Sequence, residues 1–150
     1  MLLEIRNKAM ANAVAGELHC FVAGVDPEGE RRLCEWALEE HGSEFLYVVG
    51  FPLAHRPMYT HFREEDPAVS RSFDLLFRGL EITTGSQRIH DHDLLVEKMR
   101  ERGLNPEQYK GYLSIFKHGM PPHGGLAIGL ERLTMQILGL SNVKEATLFP

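Results

Sequence analysis

Between residues 26 and 42, DPEGERRLCEWALEEHG, apolar Leu33, Trp36 and Ala37 recur at steps of three and one among charged residues. That is the spacing of one buried helix face, with Asp26 placed as N-cap and Pro27 at the first helical position. The run SEFLYVVGFP that follows predicts a buried strand ended by Pro52. Residues 52–70 carry Pro52, Pro57 and Pro67 among several charges and predict a long loop. SFDLLF and LEITT then predict two strands on either side of Arg78-Gly79. Asp91 is placed to cap a helix through LLVEKMRERG, with Gly103 as its stop. Asn105-Pro106 starts another, with Tyr109, Tyr112, Leu113 and Phe116 at helical spacing and Gly119 beyond its end. The aromatic members of that stripe predict core positions. GGLAIGL predicts a last strand, and ERLTMQIL a last helix closed by Gly139. Strands and helices mix without regular βαβ alternation, so the expected class is α+β: an antiparallel sheet flanked by helices.

Length and charge narrow the picture. A chain of 150 residues is one domain, 1–150, large enough to bury a core. Its net charge of −5 argues against a broad nucleic-acid surface but leaves room for a phosphate pocket built from one or two arginines. Cys20 and Cys34 form neither a disulfide framework nor a metal spacing, which points to a reduced, cytoplasmic chain. No apolar run approaches the ~20 residues that a membrane span needs.

The stretch SFDLLFRGLEITTGSQRIHD, residues 72–91, places Asp74, Glu81 and Arg88 seven apart among apolar neighbours. With Arg78-Gly79 as a two-residue hairpin loop, Phe77 pairs with Leu80 and Asp74 with Thr83. Glu81 then falls on the face of Asp74, diagonal to it. Two such carboxylates repel, and a hard divalent ion held with phosphate oxygens would resolve the conflict; two unrelated acids on a solvated sheet face is the plainer alternative. Arg88 has the opposite parity. A bulge at Gly85 would return it to the carboxylate face, where a guanidinium fork suits a substrate carboxylate or pairs with Asp74 or Glu81. In HGGLAIGLERL, residues 123–133, Gly125, Ala127 and Gly129 leave one strand face nearly bare, while Leu126, Ile128 and Leu130 form a core face on the other. Arg132 sits at a helix start, where the dipole disfavours a cation and an anionic ligand would compensate; an arginine simply solvated there is the other reading. His123 touches the same ligand or packs beside it. HDHD, residues 90–93, is better explained as a capped helix start than as a metal cluster.

Together with YKGYLSIFKHGMPPHGG, FPLAHRPMYT and GLAIGLERLTMQILGLSNVKEATLFP, the stretch at 72–91 closely resembles the C-terminal half of the catalytic domain of aspartyl-tRNA synthetases of the archaeal and eukaryotic type. The resemblance covers roughly residues 28–150, with 1–27 only weakly matched, and GLAIGLERL is similar to the third signature motif of class II synthetases. It implies ATP-dependent activation of aspartate to an aspartyl-adenylate, followed by transfer to tRNA. By position it implies Asp74, Glu81 and Thr84 around an ATP-bound Mg²⁺, with threonine where the family usually has serine. It implies Arg88 and Thr84 at the aspartate, and Gly129, Leu130, Glu131 and Arg132 at the ATP, Arg132 clamping the nucleotide. Arg132 and Glu81 then carry the catalytic role by charge and position, because the substrate carboxylate itself attacks the α-phosphate.

The departures are specific. The family's first motif, at its dimer interface, and its second motif, with the α-phosphate arginine, have no counterpart before residue 28. FREE, residues 62–65, has the second motif's letters in the wrong order along the chain. Half an active site is therefore expected, dependent on a homodimer or a complementary half. The rival functions are a paralogue that binds ATP or an amino acid without catalysis, and an asparagine-forming or asparaginyl-specific relative.

Overall fold

In the computed structural model, residues 25–149 are described. Cys20 and most of the weakly matched segment 1–27 lie outside them. Helix α1, Pro27–His41, begins where the Asp26 carboxylate accepts the Gly29 N–H at 2.7 Å, and it ends at Gly42, in the left-handed region at φ 62°. Its buried Leu33, Cys34 and Ala37 pack on Leu46, Val48, Phe51 and Leu76, with Trp36 at the margin of this first core.

Those partners belong to a four-stranded sheet of β1 (Phe45–Val49), β2 (Ser72–Phe77), β3 (Leu80–Gln87) and β4 (Gly124–Ile128). Every neighbouring pair is antiparallel and the spatial order follows the chain, which is the expected α+β architecture. Arg78 and Gly79 both adopt positive φ, 48° and 86°, in the two-residue turn between β2 and β3. Such a turn matches the twist of the strands it joins. The 52–70 loop is tied down by isolated bridges from Pro52 to Val69, Phe62 to Ser70 and Thr60 to Arg88.

A second core lies beyond the sheet. Ile89 packs with Leu95 and Met99 of α2, His92–Glu101, and with Leu113 and Phe116 of α3, Lys110–Lys117. Of the aromatic stripe expected inside, Phe116 alone is buried; Tyr109 and Tyr112 are exposed. A short 3₁₀ turn, Pro106–Tyr109, precedes α3 and interrupts the continuous helix that the spacing predicts. The last helix, α4 (Leu130–Leu138), has no fully buried residue. No described helix is long and apolar enough to cross a membrane.

Candidate functional site

The register of β2 against β3 decides which side chains meet. Phe77 pairs with Leu80, as expected, and Leu76 with Glu81. The ladder then shifts: Leu75 faces Thr83 and Asp74 faces Thr84, so Ile82 is an extra residue on β3. Asp74 therefore stands opposite Thr84 and not the expected Thr83. The irregularity lies at Ile82 and not at Gly85, yet its effect on parity is the expected one. Residues beyond it are turned over, and Thr84, Ser86 and Arg88 join the face of Asp74 and Glu81. Gly85 is glycine for a different reason. A Cβ there would lie 2.5 Å from the Phe73 ring and 3.0 Å from Leu126 Cβ, so the aromatic ring lies against bare backbone.

Asp74 is buried, and its charge is answered from the loop. Arg56 Nη2 donates to Oδ2 at 2.7 Å and Nη1 to Oδ1 at 3.1 Å, a bidentate pair, while the Thr84 hydroxyl donates to Oδ1 at 2.6 Å. The guanidinium stacks on Phe51, 3.7 Å from the ring centroid. The chain itself thus places a cation, Arg56, against Asp74. Sequence reasoning passed over Arg56 because it sits in a loop without periodicity; the signal was the buried acid itself, which requires a partner.

Glu81 lies at the end of the strand ladder. β4 pairs with β3 only from Thr83 onward, and the Glu81 peptide is served by side chains instead. Its N–H donates to Glu30 Oε2 at 3.1 Å, and its carbonyl accepts from Arg132 Nη1 at 3.0 Å. The Glu81 carboxylate stands 3.7 Å from the same Arg132 nitrogen. Arg132 is neither simply solvated nor unanswered: a carbonyl and a carboxylate oppose its charge at a helix start. Glu30, Arg56, Asp74, Glu81 and Phe51 line a cavity of about 160 Å³. Burial pushes the Glu30 carboxyl above its ordinary range, with the Glu81 N–H pulling it back and the Glu81 charge adding to the rise.

Arg88 makes no ion pair among the described residues. Its guanidinium lies over the Tyr59 ring, 4.0 Å from the centroid, and against Gly125, where a Cβ would come within 3.3 Å of Nη2. Gly125 is opposite Ser86 and Ala127 opposite Thr84, so the bare face of β4 is the face of Arg88 and Thr84. Gly129 donates its N–H to Ile82 O at 2.8 Å and packs on the Arg132 stem, with Leu130 and Glu131 following at the start of α4. The opposite face of β4, expected in the core, is open: Leu126 is 60% exposed, Ile128 57% and Leu130 69%.

The remaining candidates fall elsewhere. Asp91 caps α2 by accepting the Leu94 N–H at 2.8 Å, and His92 contacts Asp93. No group of three or more metal-ligating side chains occurs among the described residues. In the FREE segment, Phe62 bridges to Ser70 and Glu64 pairs with Arg71 at 3.3 Å, contacts that close the loop on itself just before β2. His123 Nδ1 lies 2.9 Å from Pro121 O, and its backbone carbonyl accepts the Arg88 N–H.

Comparisons with known proteins agree with this geometry. Residues 4–150 match the family model described as tRNA synthetases class II (D, K and N), a match that reaches well upstream of residue 28. The chain is 54% identical over 123 residues to the aspartate–tRNA(Asp/Asn) ligase of Thermus thermophilus, covering 82% of this chain and 29% of that one. To the aspartate–tRNA(Asp) ligase of Pyrococcus abyssi it is 47% identical over 126 residues, 84% of this chain and 29% of the relative. It superposes on the aspartyl-tRNA synthetase of Entamoeba histolytica with a TM-score of 0.89 at 37% identity, over 100% of this chain and 31% of that one. The asparaginyl-tRNA synthetase of Pyrococcus horikoshii gives 0.82 at 28% identity, over 99% and 35%. The chain thus spans under a third of the length of the curated relatives it matches. Bulged hairpin, bare strand and arginine-bearing helix are parts of one inherited domain: this chain belongs to the class II tRNA synthetases of the D, K and N group.

Proposed function

We propose that these residues form the C-terminal half of the catalytic domain of an aspartate–tRNA ligase, which activates aspartate with ATP and transfers it to tRNA. The observation that carries this reading is Arg88. A guanidinium stacked on Tyr59, beside Gly125 and without an acidic partner among the described residues, is preorganised for an incoming carboxylate. Thr84 stands on the same face four residues earlier, on β3. ATP is assigned to the Gly129–Arg132 turn, where the Arg132 guanidinium answers phosphate charge beside the bare strand.

Chemistry on this face requires no protein base. The carboxylate of the amino acid is the nucleophile toward the α-phosphate, and the residues hold, orient and neutralise. Oxygen donors on one face suit Mg²⁺, which binds by one or two carboxylates together with substrate phosphates. Glu81 is the principal donor in this reading, since the Asp74 oxygens are occupied by Arg56 and Thr84. When bound, the ion supplies positive charge to the phosphates. Cytoplasmic location, tRNA as acceptor and assembly as a homodimer or with a complementary half belong to the same proposal. The apolar face of β4 and α4 supports the last of these.

The test is adenylate formation measured with aspartate, asparagine and no amino acid, in a complete enzyme context. Aspartate alone should support it. Preference for asparagine would transfer the reading to the asparaginyl branch, and nucleotide binding without any adenylate would make the chain a binding module.

A further inference from the structure

We infer that Glu30 is a positioning residue of the candidate nucleotide site, acting through the Glu81 peptide. The inference rests on the ATP reading above, but its geometry stands apart from it. Because β4 ends at Ile128, opposite Thr83, the Glu81 N–H and C=O lie beyond the end of the partner strand. Unpaired backbone groups in a part-buried position destabilise that conformation. Two helices supply what the strand does not: Glu30 of α1 accepts the N–H at 3.1 Å, and Arg132 of α4 donates to the C=O at 3.0 Å. Glu30 and Arg132 thus grip successive groups of one residue, immediately before the extra residue that turns Thr84 and Arg88 onto the site face. The groups around the Glu30 carboxylate are Asp74 of β2, Glu81 of β3, Arg132 of α4, and His55 and Arg56 of the loop. None of the other groups reaches the Glu81 N–H. Removing Glu30 frees that N–H and loosens the carbonyl on which Arg132 is aimed.

The test compares Glu30→Ala and Glu30→Gln in the 150-residue chain, by titration calorimetry with ATP and by hydrogen exchange at the Glu81 amide. Glutamine keeps an acceptor oxygen at the same reach, and alanine removes it. E30A should bind ATP roughly tenfold more weakly and lose protection at Glu81 by a similar factor, the scale of one hydrogen bond to a charged group. E30Q should restore both to within about threefold. A purely structural role would lower the melting temperature of E30A without moving its ATP affinity well below that temperature. Unchanged affinity in E30A, or E30Q behaving as E30A, overturns the inference. Should E30A not fold, Glu30→Asp, too short to reach the N–H, takes its place with the same criteria. Absence of ATP binding by the unsubstituted chain would defeat the nucleotide reading. The Glu81 amide and the Arg132 Nε–H resonance in the free chain then decide: both unmoved in E30A sinks the positioning role, both moved upholds it.

Discussion

Arg56 and Asp74 set the electrostatics of the site before any ligand arrives. Both side chains are largely buried, at 16% and 12% exposure, and two short hydrogen bonds join them. Removing one partner of such a pair leaves a buried charge unanswered, commonly at about 3–5 kcal/mol. Arg56→Met should therefore lower the unfolding free energy by about 3 kcal/mol, near the lower end because neither group is fully enclosed. A urea titration checks it. Arg88 should behave oppositely, since its guanidinium has no acidic partner among the described residues to strand. Arg88→Lys should leave stability nearly unchanged and weaken aspartate binding on the order of 10- to 100-fold, with ATP binding little affected. Calorimetric titration of both ligands in one complete enzyme separates that outcome from a uniform loss. Glu30 is held at a cost. Its folded pKa lies above the ordinary 4.5, mainly through burial, so the native state holds its proton to higher pH than the unfolded chain. Wild-type stability consequently falls as pH rises above 4.5 through the raised value, and Glu30→Gln removes that slope. The stability gained by E30Q over wild type should grow across this interval and then level off, as denaturant midpoints at successive pH values would record. The pairing of Asp74 was only half legible in the sequence. That a buried acid needs a counter-charge follows from its neighbours, but which cation reaches it depends on how the 52–70 loop folds back.

Strand β3 carries the local irregularity on which the site depends. Its extra residue, Ile82, is 4% exposed and shows no sequence mark of a bulge, whereas Gly85 shows one and is not the bulge. Parity arguments could require one inversion between Glu81 and Arg88; they could not locate it. Gly85 instead admits the Phe73 ring, and Gly85→Ala would force that ring and Leu126 apart, destabilising by about 1–3 kcal/mol. Thermal unfolding of this variant beside Phe73→Leu Gly85→Ala tests the cause, because a smaller, flexible side chain at 73 should recover part of the loss. The helices were more legible. Asp26 and Asp91 cap α1 and α2 through side-chain bonds of 2.7 and 2.8 Å, and Gly42 and Gly139 end α1 and α4 in left-handed conformations. These are local signals needing no knowledge of the rest of the chain. Burial of β4 was not local. Alternation separates its two faces correctly, but which one is covered depends on what packs beside it.

At the scale of the molecule, Leu126 and Ile128 of β4, Leu130, Ile137 and Leu138 of α4, and Leu148 and Phe149 are all exposed. Exposed apolar side chains beside a strand that is at the sheet edge among the described residues favour association. A polypeptide of these 150 residues should therefore self-associate with rising concentration, visible by sedimentation. It should also show no aspartate-dependent ATP–pyrophosphate exchange by itself. Loss of even one preorganised charge donor commonly lowers turnover about 10²–10³-fold, and these residues span 29% of the ligase they match. The measurement that bears most directly on the central claim is exchange by a graft. In the Thermus thermophilus ligase, the 123-residue region that is 54% identical is replaced by its counterpart from this chain. The graft should catalyse ATP–pyrophosphate exchange that depends on aspartate and is abolished by Arg88→Lys. A folded graft without exchange, or one that depends on asparagine instead, would contradict the assignment of this chain to the active site of an aspartate–tRNA ligase.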